Sequence, residues 1–247
     1  MNVGYNIGSF NSFEESIAVC PTKVVQIFTH NTKPFHQILT DSEFTLIKGY
    51  TVYVHSTFNT IMDHYAGRST FKDQFLLCAK YNFKGIVLHI PNRPVNELVY
   101  GFKCLDDPML YNKDVIVFLE HVPGVYGSSL EMVNQLYTEL SNKYKGFKFG
   151  ICIDTCHMYS SGVNLGMISK MSEIIDKLKS FNAPILVHLN DSNGELGSLI
   201  DHHAPLGTRI WTNDKSSLKL LLSQHWDAII ELKPIDKIKE SLDFINK

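Results

Sequence analysis

The chain has 247 residues, 44% of them hydrophobic, which is ample material for one sizeable core, and single α/β barrels of this size are common. Its formal net charge of −2 excludes the grossly basic signature of a nonspecific DNA binder. It does not exclude nucleic acid, because bound cations lie outside that count. The five cysteines (Cys20, Cys78, Cys104, Cys152 and Cys156) are odd in number, scattered, and form no CxxC pair. They read as buried thiols in a reducing compartment, not as a disulfide framework or a four-thiol zinc site. The N-terminus has neither a basic n-region nor an apolar h-region, and no apolar run approaches membrane-spanning length. The expectation is a soluble intracellular protein of cytoplasm, nucleus or virion, neither secreted nor bound to a membrane.

In chain order, short apolar runs occupy residues 3–7, 24–29, 52–55, 85–90, 115–120, 150–154, 185–189 and 228–231. They are rich in Val and Ile and nearly continuous in apolar character, as strands buried on both faces of a parallel sheet are. The first is not followed by a dinucleotide fingerprint, since Gly4 and Gly8 are too far apart and a third glycine is missing. After the fifth run, Ser128 and Glu131 fit a capping box, and Leu130, Val133, Leu136, Leu140 and Tyr144 form an apolar helical stripe. After the sixth, Met167, Ile168, Met171, Ile174, Ile175 and Leu178 form another. After the eighth, Pro234 opens a helix whose stripe is Ile235, Ile238, Leu242 and Ile245. Eight strands, each followed by a helical segment, predict an α/β fold of the (β/α)₈ barrel type. With no repeat beyond the βα unit and no linker, residues 1–247 are expected to form a single domain.

In such a barrel the reactive groups sit at the C-terminal ends of the strands. His55, His89, Glu120, Asp154, His188 and Glu231 close the third to eighth runs, and His157, Asp201 and His203 lie just beyond strand ends. Imidazole nitrogen and carboxylate oxygen are ligands that Zn²⁺ accepts. Singly, each residue has an ordinary reading as a hydrogen-bonded imidazole or a helix N-cap. Together, Glu120, Asp154, Asp201 and Glu231 at one rim would repel one another unless a cation neutralised them. A metal site is therefore expected at the barrel mouth. His36 and His225 read as structural or solvated, whereas His121 and His202, flanking ligand candidates, read as supporting or substrate-facing residues.

These segments resemble the endonuclease IV family of apurinic/apyrimidinic (AP) endonucleases. Cys152-Ile-Asp-Thr-Cys-His157 with Ser161-Gly162 is similar to the family's sixth-strand motif. His188-Leu-Asn-Asp-Ser192, Gly197-Ser198, Asp201-His-His203 and Leu206-Gly207 resemble its most diagnostic motif, and Gln26-Ile-Phe-Thr-His-Asn31 and Val54-His-Ser56 resemble earlier ones. The likeness runs in order through nearly the whole chain. It implies a barrel holding three Zn²⁺: one on His55, His89 and Glu120, a second on Glu120, Asp154, His188 and Glu231, and a third on His157, Asp201 and His203. It further implies hydrolysis of the phosphodiester 5′ to an abasic site in double-stranded DNA, leaving a 3′-hydroxyl and a 5′-deoxyribose phosphate, and repair of blocked 3′ ends by a monomer. Glu120 and Glu231 would orient the nucleophile. Lys33, Phe58 and His202 occupy places where the family contacts DNA, with Phe58 at an aromatic wedge position. The chain departs from the family after His89, where Ile90-Pro91-Asn92 follows, and after Glu120, where His121-Val122-Pro123 follows. It departs again at His202, which stands in place of an arginine, and at Glu231-Leu-Lys-Pro234.

Two rivals remain open at this point. A sugar isomerase or epimerase on the same barrel would assemble one metal from two Glu, an Asp and a His, and would have no need of a separate His157, Asp201 and His203 cluster. A non-catalytic binder of DNA damage would keep the zinc ions for folding alone.

Overall fold

Eight parallel strands close on themselves in a computed structural model of the protein, which describes residues 1–7, 13–18, 20, 22–30, 39–56, 65–91, 93–124 and 129–247. The first seven are β1 (Asn2–Ile7), β2 (Val24–Phe28), β3 (Thr51–His55), β4 (Gly85–His89), β5 (Ile116–Glu120), β6 (Lys148–Asp154) and β7 (Ile185–His188). A short antiparallel pair, β8 (Asp191–Ser192) with β9 (His203–Ala204), interrupts the alternation before the eighth barrel strand, β10 (Asp227–Ile230). That strand lies between β7 and β1 and closes the barrel. The apolar runs become these strands because every one is covered on both faces, by the barrel interior on one side and by helices on the other.

The helices that follow strands include α5 (Leu130–Lys143), α7 (Ile168–Ser180) and α9 (Ile235–Asn246). In α5 the stripe of Leu130, Val133, Leu136 and Leu140 is buried, and Tyr144 is buried just beyond its end. Its cap is Ser129, whose Oγ accepts from the Met132 N–H at 3.1 Å, and Ser128 lies outside the described residues. The buried face of α7 begins at Met171, whereas Met167 and Ile168 are exposed. Both continue the i, i+3/i+4 stripe, but they stand at the helix N-terminus, Met167 as its N-cap and Ile168 as its first residue, where that face is exposed. No helix among the described residues is long and apolar enough to cross a membrane.

Below the mouth the interior is filled by Val24, Tyr53, Val87, Phe118, Cys152, Leu186 and Ile229, so the barrel is a packed core and not a pore. The Phe118 ring takes the room of two neighbours' side chains. A Cβ on Gly85 would stand 2.8 Å from it and a Cβ on Gly150 2.7 Å. Glycine at both positions is the space for that phenyl ring.

Candidate metal centre

The barrel register delivers the chemistry to one rim. His89 is opposite Glu120 on β4 and β5, and Asp154 is opposite His188 on β6 and β7. A short helix, α6 (Thr155–Ser160), starts directly after β6 with Asp154 as its N-cap, Oδ1 accepting from the His157 N–H at 2.9 Å. The ordinary reading of Asp154 as a cap is thus correct for one oxygen. The other, Oδ2, faces the site and accepts from Asn190 Nδ2 at 2.7 Å. The β8–β9 pair returns the chain so that His203 also reaches the rim. Asp191 fixes that excursion, accepting backbone N–H groups of Ser192, Gly207, Arg209 and Ile210 at 2.7, 2.9, 3.2 and 2.7 Å.

All nine side chains expected from the sequence meet there, in three groups. Around Glu120 Oε2 stand His55 Nε2 at 3.4 Å and His89 Nε2 at 3.2 Å. Asp201 lies between His157 Nε2, 3.2 Å from its Oδ2, and His203 Nε2, 3.1 Å from its Oδ1. Around His188 Nδ1 stand Glu120 Oε1 at 2.9 Å, Glu231 Oε2 at 3.0 Å and Asp154 Oδ2 at 4.0 Å. Two donors each about 2.1 Å from a tetrahedral zinc are about 3.4 Å apart, so the first two groups have the spacing of ligands around an ion. Apart from these contacts within the cage, the buried Glu120 Oε2, His157 Nε2 and His203 Nε2 have no hydrogen-bond partner, a costly state that a cation would relieve. The donor set and these orphaned atoms fit a divalent metal of zinc type.

The imidazoles are turned to match. His55, His157 and His203 bring Nδ1 to the carbonyls of Ser56, His121 and Glu231 at 2.7, 2.8 and 3.2 Å. A carbonyl only accepts, so Nδ1 carries the proton and Nε2 offers its lone pair inward. His188 is reversed. Its Nε2 meets Gln26 Oε1 at 2.9 Å, while Gln26 Nε2 donates to Glu231 Oε1 at 2.6 Å. The carboxylate fixes the amide orientation, the amide oxygen then requires a proton on His188 Nε2, and Nδ1 is left for the site.

The electrostatics describe a cage that is full of protons when no cation is bound. Burial opposes the charge on His157, but Asp154, Asp201 and Glu120 outweigh it and raise its pKa to about 10. Burial is likewise overcome at His203, raised to about 9 chiefly by Asp154 and Asp201. His188 is raised well above the imidazole range, its own burial being outweighed by the Glu120 and Glu231 carboxylates. Burial would raise Glu120 and Glu231. His188 and His89 instead hold Glu120 well below the carboxylate range, and His188 and His55 bring Glu231 to about 2. Cys152 adjoins Glu120 and His188, but burial pushes its thiol up to about 12, so it is a neutral floor to the site.

A cleft of about 190 Å³ opens over the cage, lined by Asn6, Phe28, His55, His89, His157, Asp201, His203, Glu231, Leu232 and Lys233. His202 is exposed. His121 is fully buried behind His157, with ring centroids 5.7 Å apart, and so faces no substrate. His225 is exposed. Lys33, His36 and Phe58 lie outside the described residues. The sequence reading assigned no role to Gln26, Asn190 or Lys233. A lone amide amid the Val, Ile and Phe of β2 was the available signal for Gln26.

A profile of the xylose isomerase-like TIM barrel family matches residues 23–247. A probable AP endonuclease of African swine fever virus is 29% identical over 87% of this chain and 77% of its own length. A probable endonuclease 4 of Nitrosopumilus maritimus is 24% identical over 100% of this chain and 98% of its own. The crystal structure of endonuclease IV from Thermus thermophilus superposes with a TM-score of 0.79 at 19% identity, over 100% of this chain and 99% of that one. The chain belongs to the xylose isomerase-like TIM barrel family, and these curated relatives within its reach are named AP endonucleases and endonuclease 4.

Proposed function

We propose that the protein is a zinc-dependent AP endonuclease of base-excision repair. It hydrolyses the phosphodiester 5′ to an abasic site in double-stranded DNA, leaves a 3′-hydroxyl and a 5′-deoxyribose phosphate, and also repairs blocked 3′ ends. It acts as a soluble intracellular monomer, and residues 1–247 form one domain. The observation that carries this reading is the separate His157, Asp201 and His203 group beside the Glu120 groups, with three buried ligand atoms that meet only other cage residues. An isomerase needs one metal and has no use for the second cluster.

His55, His89 and Glu120 would hold one Zn²⁺, Glu120, Asp154, His188 and Glu231 a second, and His157, Asp201 and His203 a third. When bound, the ions supply Lewis acidity toward phosphate oxygens and make a water nucleophilic near neutral pH. Three zinc ions against four ligand carboxylates leave a surplus of about two positive charges, which suits a phosphodiester in an otherwise near-neutral protein. Glu120 and Glu231 orient the nucleophile. His202 and Lys233 face the incoming backbone, and Lys33 and Phe58 contact the duplex. Specificity comes from the missing base, because an abasic nucleotide is cheap to unstack and extrude.

A duplex carrying one tetrahydrofuran analogue tests this directly, since that site cannot undergo β-elimination. Nicking on its 5′ side that is lost with a chelator and restored by zinc is expected. Binding without nicking in the presence of zinc would favour the non-catalytic binder, and sugar isomerisation supported by a single Mn²⁺ or Mg²⁺ would favour the isomerase.

A further inference from the structure

The loop between β8 and β9 carries an unusual residue beside the metal cage. Leu199 has φ +58°, a left-handed backbone that a leucine rarely adopts. It is 57% exposed, and Leu196 and Ile200 are 43% and 46% exposed. Single exposed aliphatics are ordinary, but three within five residues, one of them strained, are not. The loop is held firmly. Gly197 N–H donates to Tyr159 O at 3.1 Å and Leu199 N–H to Ser160 O at 2.9 Å, both on α6, and Asn193 N–H donates to His202 O at 2.9 Å. At 57% exposed, Leu199 contributes little to the packed core. Backbone strain at a largely exposed residue beside a site points to function.

The position names the partner. Two residues on, Asp201 joins His157 and His203 at 3.2 and 3.1 Å. Of the loop's two carboxylates, Asp201 pairs with the imidazoles and Glu195 with Arg209 at 2.6 Å, so neither stands unpaired beside the aliphatic tip. The tip stands outside the cleft lining but only two residues from Asp201, which lines it, so a duplex with a phosphate on the cage would have its neighbouring nucleotides within reach of the tip. We propose that Leu199, supported by Ile200, is a wedge that inserts into the base stack beside the abasic nucleotide and holds it open. Apolar side chains in such positions partly unstack a base step. This rests on the nuclease reading, and its test separates the two.

Leu199→Gly removes the wedge and relieves the left-handed strain, and Leu199→Met keeps an apolar wedge. For Leu199→Gly, a melting temperature equal to or a few degrees above wild type is expected. Turnover of bis(p-nitrophenyl) phosphate, which needs no unstacking, should stay within about twofold, whereas kcat/KM on the abasic duplex should fall at least about tenfold. The fluorescence rise of a 2-aminopurine next to the tetrahydrofuran site should be lost with Leu199→Gly and kept with Leu199→Met. Wild-type duplex incision and fluorescence in Leu199→Gly would overturn the wedge, as would equal losses on duplex and small ester. A self-association that disappears in Leu199→Gly would assign the tip to a second copy and also overturn it. A wild type that unstacks the 2-aminopurine without cutting keeps the wedge and removes the nuclease reading. One that cuts without unstacking removes the wedge alone.

Discussion

Gln26 sits in β2 with its amide between His188 Nε2 at 2.9 Å and Glu231 Oε1 at 2.6 Å, and it is fully buried. It thereby sets which nitrogen of His188 and which oxygen of Glu231 face the cage. Gln26→Leu keeps the apolar strand and removes both bonds, so metal affinity is expected to fall about 10–100-fold, read by competition with a chromogenic chelator. Unchanged affinity would mean that the amide only fills space. The imidazoles make a pH prediction. His157 and His203, at about 10 and about 9, lie above their ordinary 6.5, so in metal-free protein the stability they lend is full below pH 6.5. It is lost as pH rises through 9 to 10. Glu231 at about 2 lies below its ordinary 4.5, so its contribution is full above pH 4.5 and is lost as pH falls toward 2. Metal-free melting temperature is expected to decline from pH 6.5 to 10, and saturating zinc, which replaces those protons, should flatten that decline. An alkaline decline that zinc leaves untouched would separate the titration from the cage. At this scale the ligand types were legible because His, Asp and Glu close apolar runs. The amides that orient them were not, since Gln26 and Asn190 act through distances that only the closed barrel creates.

The βα unit explains most of what was readable above the single residue. Continuous Val and Ile runs gave eight strands to within a residue or two, because both faces are covered and no polar alternation intrudes. The start of α5 was misplaced by one residue because Ser128 and Ser129 both offer a hydroxyl in the sequence, and the N-cap is Ser129, which accepts from the Met132 N–H. The β8–β9 excursion had no periodic signal, being two residues per strand, and depends on the four N–H groups gathered by Asp191. The fit of Phe118 between β4 and β6 is equally invisible in the sequence. Gly150→Ala would place a methyl 2.7 Å from that ring and 2.9 Å from Pro184 O. Chemical denaturation should find it destabilised by about 1–3 kcal/mol, the usual cost of overpacking, and a neutral result would show slack in the barrel floor.

The whole molecule turns dispersed sequence into one site. The nine cage residues run from His55 to Glu231, yet a parallel barrel puts every strand's C-terminal end on the same rim, so their convergence could be read before any distance was known. The grouping into three sets and the depth of the cleft needed the fold. The altered residues after His89 do not displace it, as its Nε2 lies 3.2 Å from Glu120 Oε2. Bound cations, which the residue count omits, would reconcile the near-neutral composition with the proposed DNA substrate. Elemental analysis of freshly purified, active protein tests that claim most directly. About three zinc per chain is expected; active protein without bound transition metal, or with a single Mn²⁺ or Mg²⁺, would contradict it.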